Sequence, residues 1–194
     1  MNEIEKQKIY KIVLNKIPYY LKPPKGERNM PSIDADTAIL WWRKSDQNFK
    51  SKINKPTQSS YNLETIGYFV GEDQDVMFFS SSMDRECSNF KHIRVSSKEN
   101  IKKIEELHIS SNKRIKSGGP VMVIWEDPVL SSYIGTLENL KKRNKIPQFS
   151  RVGFLLSDTN KGVYTASLFS GERDLYSETM VNPKKSVKEI HPLI

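Results

Sequence analysis

The stretch "GYFVGEDQDVMFFSSSMDRE", Gly67–Glu86, decides how this chain is read. Two β-rich runs, residues 65–70 and 75–82, flank the polar segment "GEDQ". Turn-forming residues between two apolar runs predict a hairpin. In extended backbone Ile66, Tyr68 and Val70 point to one face, and Gly67 and Phe69 to the other. Val76 and Phe78 likewise oppose Met77 and Phe79. Apolar side chains thus lie on both faces, whereas a sheet with one wet face alternates. Both faces are expected to be covered.

A second stretch, "GFLLSDTNKGVYTASLFSGERD", Gly153–Asp174, predicts a second hairpin. Gly67 and Gly153, Tyr68 and Phe154, Val95 and Val181, Ile101 and Val187, Ile104 and Ile190, and Leu107 and Leu193 are all 86 residues apart. Trp41 and Trp125 differ by 84, which calls for a two-residue length change. One spacing serving both a strand glycine and a distant terminal segment points to an internal duplication.

Other elements follow from local pattern. Residues 3–17 predict a helix with Ile9, Val13 and Ile17 on one stripe, ended by Pro18. A proline-containing loop or arm follows, then a strand over 37–42 ("TAILWW"). The polar segment 43–60 suits a short helix or a loop. Residues 91–96 predict a strand. Residues 97–108 predict a helix capped by Ser96 or Ser97, with Ile101, Ile104 and Leu107 on its face. A strand is expected over 121–125 and a helix over 127–145, with Asp127 as cap and Pro128 at the first position. A short strand at 178–182 and a final helix from Pro183 complete the chain.

The predicted fold is α+β. Two tandem, similar β-α-β-β-β-α units form a pseudo-twofold, mainly antiparallel sheet with helices on one face, plus an N-terminal helix. The segments are 1–36 (helix and arm), 37–108 (unit one), 109–120 (basic linker) and 121–194 (unit two). Pairing the two copies removes open sheet edges. This element order is similar to the saddle of TATA-binding proteins, a likeness of architecture alone. It implies an exposed apolar sheet face with flanking lysines, suited to minor-groove contact.

Composition narrows the classes. No apolar run in the 194 residues reaches the roughly 20 a membrane helix needs. The N-terminus mixes acids and lysines with no apolar core of a secretory signal. A single cysteine, Cys87, builds neither an internal disulfide nor a thiolate cluster. An intracellular protein, cytoplasmic or nuclear and not secreted, is expected. The net charge of +8 suits an anionic partner, though A/T-rich coding also enriches lysine. The excess is spread thinly, with concentrations in "NKRIKSGG" (112–119) and "KKRNK" (141–145).

Catalytic motifs are weak. His92, His108 and His191 form no metal-ligand pair, so no metal site is expected. Glu72, Asp73 and Asp75 read as a hairpin turn before they read as a metal-binding cluster. Cys87 has only His92 near it in sequence, and Ser80–Ser82 lack a nucleophile elbow. "KSGGP" has no phosphate-loop frame. Arg85 and Arg173 sit in "MDRE" and "GERD", where they pair with carboxylates or bind phosphate.

A non-enzymatic nucleic-acid-binding protein without cofactors is therefore expected. Lys113, Arg114, Lys116, Lys141, Lys142, Arg143 and Lys145, with Arg85 and Arg173, would take phosphates, and Trp42, Phe69 and Phe79 would stack on bases. Two alternatives stand beside it. One is a protein-interaction or regulatory module of a virus, plasmid or mobile element, covered by a protein partner or by self-association. The other is a small metal-dependent hydrolase using the acidic turn.

Overall fold

The computed structural model describes residues 7–24, 32–55, 62–85, 89–111, 114–126, 148–171 and 174–194. The chain begins with strands β1 (Ile9–Leu14) and β2 (Tyr19–Tyr20). Helices α1 (Ala35–Lys44) and α2 (Gln47–Asn54) follow. Strands β3 (Leu63–Asp73), β4 (Val76–Ser80), β5 (Ser82–Asp84), β6 (Phe90–Lys91) and β7 (Arg94–Ser97) come next. A 3-10 turn at Lys98–Asn100 leads to β8 (Ile101–Leu107). The second half holds β9 (Pro120–Glu126), β10 (Gln148–Asp158), β11 (Gly162–Ser170) and β12 (Leu175–Pro183). A second 3-10 turn, Lys184–Ser186, leads to β13 (Val187–Pro192). The described strands pair antiparallel in one hydrogen-bonded sheet, and the architecture is α+β.

Pairing follows one pattern in each half. β1 lies between β8 and β3, β3 pairs β4, and β4 pairs β7. β9 lies between β13 and β10, β10 pairs β11, and β11 pairs β12. Registers coincide as well. Tyr68 opposes Ser80, and Phe154 opposes Ala166; adding 86 to the first pair gives the second. The β3–β4 register skips Val70 and the β10–β11 register skips Leu156, again 86 apart. β8 skips Lys102 and β13 skips Lys188. The ion pair Lys98–Glu72 (2.8 Å) is matched by Lys184–Asp158.

The halves meet by a reciprocal exchange. The end of β11 pairs the start of β3, with Leu168, Phe169 and Ser170 opposite Thr65, Glu64 and Leu63. β5, which continues β4, pairs the start of β10, with Ser82, Met83 and Asp84 opposite Arg151, Ser150 and Phe149. Each contact is the other shifted by 86, so the junction is self-complementary, as in a twofold interface. Apolar side chains on both sheet faces separate into several cores. One contains Ile12, Leu14, Met77 and Phe79, and another Val121, Val123, Leu155 and Val163. The largest runs across both halves, from Trp41, Trp42 and Phe49 to Ile124, Val152 and Phe154.

Four expected elements differ. Of residues 3–17, expected as a helix, the described part gives strand β1 instead, flanked by β3 and β8. "TAILWW" belongs to helix α1 rather than a strand. Asp34 accepts the Thr37 amide at 2.7 Å as N-cap, and Ala38, Trp41 and Trp42 are buried at helical spacing. The two segments expected as closing helices, 97–108 and from 183 onward, are each a 3-10 turn followed by a strand. Described helices therefore lie only between β2 and β3, and the saddle-like element order is not kept. The helix expected over 127–145 lies outside the described residues. The two hairpins form as expected.

Candidate functional site

The expected stacking aromatics are core residues. Trp42 is 6% exposed and Phe79 is 0% exposed, so neither ring has a face free for a base. Trp42 fills the space between α1, α2 and the sheet, with Phe49 and Phe78 edge-on at 6.2 and 6.1 Å. Phe69 is half-buried and meets Tyr10 edge-on at 5.9 Å. The Arg85 guanidinium donates to Gln148 Oε1 at 3.2 Å, and its amide donates to the Gln148 carbonyl. It thereby ties β5 to β10. Arg114 and Lys116 are exposed, ahead of the turn at Gly118. Lys113, Lys141, Lys142, Arg143, Lys145, Arg173 and Cys87 lie outside the described residues.

Two of the three acids of the turn are ion-paired. Glu72 pairs with Lys98 at 2.8 Å, and Asp73 holds Arg43 at 3.2 Å. No group of three or more metal-ligating side chains occurs among the described residues. Within them no helix is long and apolar enough to cross a membrane.

A basic surface forms instead on α1 and α2. Asp46 caps α2 by accepting the Phe49 amide at 2.8 Å, and Phe49 and Ile53 turn inward. That leaves Lys44, Lys50, Lys52 and Lys55 outward or half-buried. Lys16 joins them by donating to the last-turn carbonyls of Lys52 (2.6 Å) and Lys55 (3.2 Å), where the helix dipole favours a cation. Lys22 lies 5.7 Å from the Phe49 ring and Lys50 lies 5.7 Å from the Trp42 ring. None of these six lysines pairs with a carboxylate among the described residues. Beside them opens a cavity of about 360 Å³, lined by Trp42, Arg43, Lys50, Asn54, Asp73 and Asp75.

A second constellation lies at the junction of the halves. Arg94 on β7 is 0% exposed, and its Nη1 donates to Glu178 Oε2 on β12 at 2.9 Å. Ser167 Oγ donates to the same oxygen at 2.6 Å. Arg151 on β10 is 6% exposed; its Nη2 donates to the Glu178 carbonyl at 2.8 Å and its Nη1 lies 3.3 Å from Met180 Sδ. Tyr20 and His92 border the group on its more open side. His92 and Glu178, 86 residues apart, both hold left-handed backbone, at φ 54 and 55. Such a conformation is uncommon for residues other than glycine.

Burial and crowding displace several titrations here. Burial, then the Glu178 carboxylate, pushes the Tyr20 phenol up to about 12. Burial, then the neighbouring Arg94, lowers Arg151 to about 10. Burial also lowers Arg94, with Glu178 acting against it. His92 is lowered by burial first and then by Arg151 and Lys91. Clustered displacement of this kind is a feature of functional sites. None of Arg94, Arg151, Glu178 or Tyr20 stands among the sequence-derived candidates. The signal that could have found them is an arginine set in an apolar strand, in "HIRVSS" and "FSRVGF", because a buried cation needs a partner.

No family model matches the chain, and comparisons with curated proteins and with solved structures give no match either.

Proposed function

We propose that this is a non-enzymatic nucleic-acid-binding protein whose contact surface is the lysine face of α1 and α2. The observation that carries the reading is the gathering of Lys44, Lys50, Lys52 and Lys55 on the helical segment with Lys16 and Lys22 of the preceding segment beside it, without acidic partners among the described residues. Solvated lysines neutralise phosphates and release counterions, which gives affinity with little sequence information. With Trp42 and Phe79 buried and Phe69 half-buried against Tyr10, the reading rests on electrostatics.

The same reading includes a tandem duplication, supported by the shared 86-residue spacing of registers, skipped residues, 3-10 turns and ion pairs. Among the described residues the lysine-bearing helices belong to the first copy.

Fluorescence anisotropy with single- and double-stranded oligonucleotides across a salt series tests the function. Affinity should fall steeply with salt. A Lys50→Glu/Lys52→Glu variant should lower the log–log slope by about 0.7–0.9 for each phosphate it no longer neutralises. No binding at low salt, a flat salt response, or an unchanged double variant removes the reading.

A protein-interaction role is the second reading, favoured by the outer edge of β12. The corresponding strand β7 is paired on its outer side by β2, whereas β12 pairs only β11 among the described residues and exposes Leu175 and Val181. A concentration-dependent dimer in light scattering, abolished by Val181→Lys, would favour it.

A further inference from the structure

We propose that the junction of the two halves is an oxyanion site, in which the guanidinium groups of Arg94 and Arg151 take a phosphate group beside Glu178. Two guanidinium groups, both more than nine-tenths buried, converge on Glu178, Arg94 on its carboxylate and Arg151 on its main-chain carbonyl. Arginine stays protonated at neutral pH, so the cluster keeps a net positive charge. An uncompensated buried charge is costly, and a bound anion is the direct remedy.

Donor geometry agrees. Arg94 Nε and Nη2 and Arg151 Nε are buried without a hydrogen-bond partner among the described residues. Glu178 cannot serve them all, because its Oε2 already takes Arg94 Nη1 and Ser167 Oγ. Two guanidinium forks with free donors match a tetrahedral oxyanion better than a halide. Entry would be from the side of Tyr20, 42% exposed, and His92, also exposed. Three strand segments hold the donors and the carboxylate, one from each of β7, β10 and β12, so the site exists only when both halves are assembled.

Thermal unfolding at constant ionic strength, with inorganic phosphate replacing chloride, tests this. A saturable rise in Tm of roughly 5–10 °C is expected at about 100 times Kd, with one phosphate bound per chain in a calorimetric titration. The rise should vanish in Arg151→Met and persist in the surface variant Lys161→Ala. If Arg151→Met does not fold, Arg151→Lys should bind phosphate at least about tenfold more weakly, since the fork is lost while the charge stays. No phosphate-specific shift, several weak sites per chain, or unchanged affinity in Arg151→Lys overturns the proposal. A free phosphate and a nucleic-acid phosphate share this chemistry. Displacement of bound phosphate by an oligonucleotide in the titration assigns the second source, and retention of phosphate assigns the first.

Discussion

Replacing Glu178 by Gln tests the charge cluster most directly. The substitution keeps side-chain volume and φ preference, so it opens no cavity and adds little backbone strain. It removes the only carboxylate in contact with Arg94 among the described residues, and the Arg94 guanidinium is wholly buried. Breaking one side of a buried pair costs about 3–5 kcal/mol, because the remaining charge has no compensation. For a chain of this length each kcal/mol lowers Tm by about 2–4 °C. Glu178→Gln should therefore melt roughly 6–20 °C below the parent, a large share of the ~5–15 kcal/mol that holds a typical protein folded. The partner variant, Arg94→Met, should be destabilised as well, since it removes the only ion pair of the Glu178 carboxylate among the described residues. The double variant should cost less than the two single costs summed, because the Arg94 charge that Glu178→Gln leaves unpaired is then absent. Urea unfolding of all four proteins gives the coupling energy. A Glu178→Gln protein within about 0.5 kcal/mol of the parent, or strictly additive single effects, would refute the charge-balance reasoning.

A Cβ at Gly153 would lie 2.5 Å from the Ala166 carbonyl, whereas one at the corresponding Gly67 meets nothing nearer than 3.3 Å. Gly153→Ala should cost about 1–3 kcal/mol by overpacking against backbone, and Gly67→Ala clearly less, as read from paired chemical melts. Because the folded state lowers the His92 titration, the unfolded chain takes up the proton first; this contribution is intact above about pH 6.5 and is lost as pH falls through the folded value. His92→Asn, a residue at ease in left-handed backbone, should flatten that acid slope in a stability–pH profile. The Tyr20 phenol is raised from 10.0 to about 12, so its contribution is intact below pH 10 and lost as pH rises toward 12. Tyr20→Phe should remove that alkaline loss.

The hairpins were legible because a turn between two β-rich apolar runs has few other readings. The closing segments were not. Ile101 and Ile104 are three apart, a helical spacing, yet they share a strand face because the β1–β8 register skips Lys102. The extra residue turns a period of two into one of three. Val187 and Ile190 repeat the effect across Lys188. α1 was missed for the opposite reason. Its β-favouring composition, "TAILWW", outweighed the cap at Asp34 and the helical spacing of Ala38, Trp41 and Trp42. β1 is apolar on both faces because Ile9 joins one core and Ile12 and Leu14 another, which mimics a helical stripe in sequence. The basic face escaped notice because its lysines come from two distant segments, 16–22 and 44–55, joined only by folding. Arg94 and Arg151 were passed over because each looks unremarkable in its own strand. Their meaning depends on Glu178, 84 and 27 residues further along.

The exchange of strand ends between the halves has a mechanical corollary. Neither half can be lifted away as a finished body: severing the chain within 109–119 would give two fragments, each with an orphaned tongue and an unfilled slot. Such fragments should seek one another, or a copy of themselves, rather than persist alone. The intact chain should therefore unfold in a single step.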